Sequence, residues 1–292
     1  MSAPTDLFAA AAALGAARWW YPRAVERMTA ARLPLGPDGI IRGAGPLARD
    51  GSDPARAVLV LHGFGDTPES VRPLVDALAA RGWTVRAPLL AGHGRTLREF
   101  ARSGGDEWLA SAREALRAMT AAAPRVMLAG QSLGGALAAI LAAERSDVAA
   151  LALLAPYFEA PGYVRGFARL APVLSPVIPY LVTVDQRSLM DPEARARSLS
   201  FGATTPRLTR ELVRIADHGR AAFPAVRAPV LYLQSPEDNR VAPGVAERAC
   251  ASRPGTVLEW IEGSGHVLTA DVKREQVAAR VGAWFERYAG AR

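Results

Sequence analysis

Residues 126–143 read VMLAGQSLGGALAAILAA. Inside them stands Gly130-Gln131-Ser132-Leu133-Gly134, a G-x-S-x-G pattern between an apolar run and a run of small residues. Residues 125–129 have the length and composition of a strand buried on both faces, and 133–144 those of a helix. A strand that passes straight into a helix must bend sharply. Such a bend lifts the residue at its tip, here Ser132, out of the strand end, and the flanking glycines avoid side-chain clashes within it. The G-x-G-x-x-G fingerprint of a dinucleotide-binding turn is absent. The segment is uncharged over 18 residues, but Gln131, Ser132 and three glycines mark it as strand, turn and helix rather than a membrane span.

The same alternation continues on both sides. Residues 57–61 (AVLVL), 83–88, 148–154, 229–234 and 257–261 are short apolar runs expected as strands. Residues 68–81 place Val71, Leu74, Val75 and Leu78 on one helical face. Residues 106–122, 243–251 and 271–288 supply further helices. Strands alternating with helices predict an α/β fold with a mainly parallel sheet and helices on both faces. The rhythm breaks over 156–222, rich in proline and aromatic residues and too long for a structureless loop. It reads as a mostly helical cap insertion without a clear strand, 208–222 being its clearest helix. The expected organisation is an N-terminal helical extension and loop over 1–50, core over 51–155, cap over 156–222 and core again over 223–292.

Residues 5–31 read as an Ala-rich helix with Trp19, Trp20 and Tyr21 near its middle. Such a helix docks on the body or lies on a membrane surface as a peripheral contact. Its apolar run 7–17 has signal-peptide length, but Asp6 stands where a positive charge belongs. The run is also shorter than the roughly 20 residues that cross a bilayer. A cytoplasmic location is expected, with membrane association resting on this helix. Residues 34–56 read as loop with room for one short strand.

A nucleophilic serine needs a base and an orienting carboxylate. His266, in Gly263-Ser264-Gly265-His266-Val267, follows the run 257–261. His62 and His93 lie upstream of Ser132, and His218 lies in the insertion; the order serine, acid, histidine favours His266. Asp238, in SPEDNRV, follows the run 229–234, with Glu237 its local rival and Asp271 a weaker one. His62-Gly63-Phe64-Gly65 follows the run 57–61. An attacked carbonyl becomes an oxyanion and needs two fixed N–H donors. These are expected from the backbones of Leu133, next to the serine, and Phe64. All of these groups fall at carboxyl ends of strands, where open α/β sheets place their sites.

At these residues the chain resembles the α/β-hydrolases, and among them the bacterial carboxylesterase and monoacylglycerol lipase group, over roughly residues 55–290. HGFGDTPES resembles that group's oxyanion loop and PLLAGHGRT its next loop. GQSLGG is similar to its nucleophile elbow, LVRIADHGRAAFPAVRAPVLYLQSPEDNRV to its cap return and acid loop, and GSGHV to its histidine loop. The resemblance implies Ser132, Asp238 and His266 as a catalytic triad, Phe64 and Leu133 as oxyanion donors, and 156–222 as a cap. It implies hydrolysis of monoacylglycerols or short-to-medium acyl esters, small-molecule substrates, with no cofactor. The N-terminal 30 residues depart from the pattern. An acyltransferase, thioesterase or peptidase would use the same triad. A dehalogenase or epoxide hydrolase of this fold would carry a carboxylate at position 132. A non-catalytic binding protein would be expected to lack a triad member, and none is missing.

Composition narrows the classes further. Half of the 292 residues are hydrophobic and 22% are charged, which excludes a disordered chain. Cys250 is the only cysteine, so neither an intrachain disulfide nor a cysteine zinc site can form. The four histidines form no HxxxH or HExxH pair, and no metal is expected. The net charge of +7 invites a nucleic-acid reading, but the basic residues are 34 Arg and one Lys beside 59 Ala. That skew is a coding bias, and the arginines form no block with interleaved aromatics, so no nucleic-acid partner is expected.

Overall fold

The computed structural model describes residues 3–123, 125–183 and 187–290, with side chains of the N-terminal helix from Arg18 on. The strands are β1 Leu47–Arg49, β2 Asp53–Leu61, β3 Trp83–Ala87, β4 Val126–Gln131, β5 Val148–Leu154, β6 Leu181–Val182, β7 Ala203–Thr204, β8 Val230–Gln234 and β9 Val257–Trp260. The α-helices are α1 Ala3–Arg32, α2 Arg72–Ala79, α3 Leu97–Arg102, α4 Gly105–Ala122, α5 Leu133–Glu144 and α6 Gly162–Arg169. They continue with α7 Ala171–Leu174, α8 Pro192–Arg197, α9 Pro206–Ala222, α10 Pro243–Ser252 and α11 Arg274–Ala289. Seven strands form one sheet in the order β1-β3-β2-β4-β5-β8-β9. Only β1 runs antiparallel to its neighbour.

The expected α/β architecture is therefore present. β4, β5 and β8 are buried along their whole length, as strands covered on both faces must be. Alternate residues divide between two cores. Leu59 and Leu61 of β2 face α4, α5 and α9 through Trp108, Leu137 and Ile215, while Val58 and Val60 face α2 and α11 through Leu74, Leu78 and Phe285. Full burial of each such aliphatic or aromatic side chain contributes about 1.5–3 kcal/mol. The strand ends are level: Leu61 pairs with Gly130, Gln131 with Leu154, Leu154 with Leu233 and Gln234 with Trp260. The loops that follow these strands consequently emerge at one edge of the sheet.

Three features differ from the sequence reading. α9 packs against α5, where Gly219 allows a close approach: a Cβ there would lie 2.9 Å from the Ala136 carbonyl oxygen. α9 also packs against α6 and α7, so this last helix of the expected insertion touches both the core and the rest of the insertion. Inside the cap, β6 and β7 pair antiparallel where no strand was expected. α3 forms where the sequence reading expects no element, and Thr96 and Glu99 make a capping box at its start.

The second half of α1 docks on the body. Val25 and Thr29 are buried, the Tyr21 hydroxyl donates to the Tyr180 carbonyl at 3.2 Å, and Arg98 pairs with Glu26 at 2.7 Å. Arg32 donates to the Ser200 carbonyl at 2.6 Å and that of Phe201 at 2.9 Å. Trp19 and Trp20 stay exposed, and the side chains of the apolar run 7–17 lie outside the described residues. Among the described residues no helix is long and apolar enough to cross a membrane.

Candidate active site

Ser132 occupies the one-residue joint between β4 and α5 at φ 56°, ψ −115°. A non-glycine residue held there stores about 1–3 kcal/mol and persists only where the surroundings enforce it. They do so here. The Ser132 amide donates to the Leu154 carbonyl at 2.9 Å, and its carbonyl accepts the amides of Gly135 at 2.9 Å and Tyr157 at 3.0 Å. The flanking glycines are required by space. A Cβ on Gly130 would lie 2.2 Å from the Gly134 carbonyl oxygen, and one on Gly134 would lie 2.2 Å from that of Leu61.

The loops after β8 and β9 bring the acid and base to this serine. His266 Nε2 lies 2.8 Å from Ser132 Oγ, and His266 Nδ1 lies 2.8 Å from Asp238 Oδ2. All three residues are buried. Asp238 Oδ1 accepts the Arg240 and Val241 amides at 2.7 and 2.9 Å, so the carboxylate can only accept toward the imidazole. Nδ1 is thereby assigned as the donor and Nε2 as the acceptor facing the hydroxyl. Burial alone would raise the Asp238 carboxyl. The His266 charge and hydrogen bond, with the two amides, outweigh it and hold the group below the usual carboxylate range. A carboxyl lowered in this way contributes stability that is present above its unfolded value and lost as pH falls through its folded one.

The loop after β2 completes the arrangement. A Cβ on Gly63 would lie 3.6 Å from Ser132 Cβ, so the loop runs directly past the nucleophile. Phe64 is anchored away from it, its ring 5.1 Å from Phe100 and 5.6 Å from Trp108. Phe64 follows β2 and Leu133 follows β4, so both residues stand at strand ends that meet at Ser132. His62 holds this loop: its Nε2 accepts the Leu90 amide at 3.1 Å, and its Nδ1 donates to the Gly63 carbonyl at 2.9 Å. Burial pushes His62 down to about 4, so it is neutral at pH 7. Asp66 accepts the Thr67 amide at 2.8 Å, and burial pushes its carboxyl up to about 6.

The remaining candidates go elsewhere. Glu237 accepts the Ser235 hydroxyl at 2.9 Å rather than the imidazole. Asp271 sits behind the histidine loop, bonded to Ser264 and Gly265. His93 is buried with its ring centroid 5.1 Å from that of His62, and His218 is on the exposed face of α9. Two glutamines were missed. Gln131 Nε2 donates to the His266 carbonyl at 2.9 Å, and Gln234 Nε2 donates to Asp238 Oδ2 at 2.9 Å. Each is the last residue of a fully buried apolar strand, and that polar ending was their legible signal. Among the described residues no group of three metal-ligating side chains occurs.

Comparison with known proteins agrees with this fold. The chain is 27% identical over 235 residues to a thermostable monoacylglycerol lipase of Bacillus sp. strain H-257, covering 80% of this chain and 91% of that protein. It is 26% identical over 259 residues to a carboxylesterase of Bacillus subtilis strain 168, covering 83% and 96%. A solved structure of a metagenome-derived lipolytic enzyme superposes with a TM-score of 0.77 at 28% identity, covering 85% of this chain and 99% of that one. The family model Hydrolase_4, described as serine aminopeptidase, S33, matches residues 52–273, and the chain accordingly belongs to that family, with an α/β-hydrolase fold.

Proposed function

We propose that the chain is a serine carboxylic ester hydrolase acting on monoacylglycerols or short-to-medium acyl esters. The observation that carries this reading is the continuous chain from Ser132 Oγ through His266 to Asp238, with 2.8 Å at each step. Ser132 Oγ attacks the ester carbonyl carbon while His266 Nε2 takes its proton. The carbonyl oxygen becomes an oxyanion held by the Phe64 and Leu133 amides. As the tetrahedral intermediate collapses, His266 returns the proton to the leaving alcohol and an acyl-serine remains. Water then attacks the acyl carbon with His266 again as base, releasing the acid. Asp238 keeps the imidazole in the required tautomer and balances its charge. The protein's similarity to a monoacylglycerol lipase and a carboxylesterase supports the ester class.

The family description names a peptidase, which the same triad could serve. An aminopeptidase substrate brings an ammonium group that needs a carboxylate partner. Residues 170–183 of the cap carry no charge, so this stretch offers such an ammonium no partner. A series of p-nitrophenyl esters of graded chain length tests this. Each methylene taken from water contributes about 0.8 kcal/mol, roughly fourfold. kcat/KM should climb by up to that factor per carbon until the site is full, then fall. A flat profile, or faster cleavage of aminoacyl amides than of esters, refutes the reading.

The same proposal includes a peripheral contact with an anionic lipid surface. Trp19 and Trp20 are 61% and 63% exposed on α1, beside exposed Arg18, Arg23 and Arg27, with Arg23 stacked 4.1 Å over Trp19. The Tyr21–Tyr180 bond joins this helix to the uncharged cap segment, where Val173 and Val177 are 71% and 65% exposed. Arginines around exposed tryptophans suit an anionic interface. Trp19→Ala with Trp20→Ala should lower sedimentation with phosphatidylglycerol vesicles about tenfold or more. Turnover of a soluble short-chain ester should stay unchanged. Undiminished vesicle binding removes α1 from the contact.

A further inference from the structure

Asp271 lies in the turn before α11 with its side chain fully buried, and its carboxylate accepts from two separate parts of the chain. Oδ1 accepts the amides of Met190 at 2.7 Å and Asp191 at 2.8 Å, both from the cap. Oδ2 accepts the Ser264 hydroxyl at 3.1 Å and the Gly265 amide. Ser264 and Gly265 are the two residues before His266. One carboxylate therefore joins the cap to the histidine loop.

The joint continues on the other side of His266, where the Val267 amide donates to the Ser188 carbonyl at 2.9 Å. It has no slack: a Cβ on Gly265 would lie 2.7 Å from the carbonyl oxygens of both Arg187 and Ser188. The same cap segment reaches the acid loop, since Ser188 Oγ lies 3.1 Å from Asn239 Oδ1 and accepts from Arg240 Nε at 3.0 Å. A carboxylate buried this fully is costly unless its donors stay in place. Its four donors come two from the cap and two from the loop, so losing either pair leaves the charge under-satisfied.

We propose that Asp271 is a positioning residue that couples the seating of the cap to the placement of His266. This rests on the reading of Ser132, Asp238 and His266 as the triad. With the cap seated, the Met190 and Asp191 amides fix one carboxylate oxygen and the other fixes the backbone just before His266. When the 187–191 segment lifts, Oδ1 loses both charge-assisted donors and the restraint on Gly265 relaxes with it. The base is then held in line with Ser132 only while the cap is closed.

Asp271→Asn keeps the side chain's shape but turns an NH2 group toward one pair of donors. On a soluble short-chain ester, kcat should fall about 100-fold, the cost of a small misplacement of a reacting group. KM should stay within about threefold. Fluorophosphonate labelling of Ser132 should slow in parallel, and the downfield NMR resonance of the His266 Nδ1 proton should broaden or vanish. A purely structural role would lower the melting temperature and leave kcat and that resonance alone, which overturns the proposal. In the same assay the parent protein must label at Ser132; if it does not, the triad reading fails rather than the coupling. If Asp271→Asn does not fold, amide hydrogen exchange in the parent decides. Met190, Asp191 and Gly265 should share one level of protection. Loop-like exchange at Met190 and Asp191 beside a protected Gly265 overturns the coupling.

Discussion

Ser132→Ala should lower kcat for ester hydrolysis by about 10⁶ and abolish fluorophosphonate labelling, with the fold retained. The Ser132 hydroxyl is the oxygen that meets His266 Nε2, at 2.8 Å, and alanine removes it. Alanine fits the space, because the bends at Gly130 and Gly134 are set by backbone contacts that the substitution does not touch. It keeps the strain of φ 56°. Ser132→Gly should therefore be the more stable of the two inactive variants, by about 1 kcal/mol. Steady-state hydrolysis, probe labelling and thermal melting check the three statements. Activity within tenfold of the parent sinks the assignment of Ser132.

Asp238→Asn should cost about 10⁴ in kcat, while Glu237→Gln should leave kcat within about threefold. The difference follows from donors and acceptors. At position 238 one oxygen accepts the Arg240 and Val241 amides, so an asparagine must point its carbonyl there. Its NH2 group then faces His266 Nδ1 and Gln234 Nε2, where two donors already point at Asp238 Oδ2. His266 relieves the conflict by moving its proton to Nε2, and the nitrogen that faces Ser132 can no longer accept. Glu237 meets none of this, because its carboxylate accepts the Ser235 hydroxyl and a glutamine carbonyl does the same. Parallel kinetics of the two variants decide between the acids, and a larger loss from Glu237→Gln overturns the choice.

Much of this site was legible because its residue types are fixed by local chemistry. Glycines at 130 and 134 were readable as a bend too tight for side chains, and the structure gives the reason in 2.2 Å approaches to backbone oxygens. Asp238 and His266 were readable because each follows an apolar run long enough to be a buried strand. The glutamines ending β4 and β8 were equally visible as letters. Their partners lie 135 and 4 residues away, and only folding shows that one holds the His266 carbonyl and the other the Asp238 carboxylate.

The sequence by itself determined the alternation of strands and helices, the elbow at Ser132 and the order in which nucleophile, acid and base enter the sheet edge. Periodicity and turn chemistry act over a few residues, so a single chain carries them openly. The tertiary structure alone decided the rest. It packed α9 against α5 as well as against α6 and α7, because Gly219 admits α5 at a distance no local pattern encodes. It docked the second half of α1 on the body through Tyr180, Arg98 and the Ser200 carbonyl. It also turned Asp271 from a rival acid into the link between the cap and the histidine loop. These outcomes depend on contacts between residues about 70 to 180 positions apart or on the packing of whole helices, and side-chain identity along the chain does not specify which distant backbone a carboxylate or a glycine will meet.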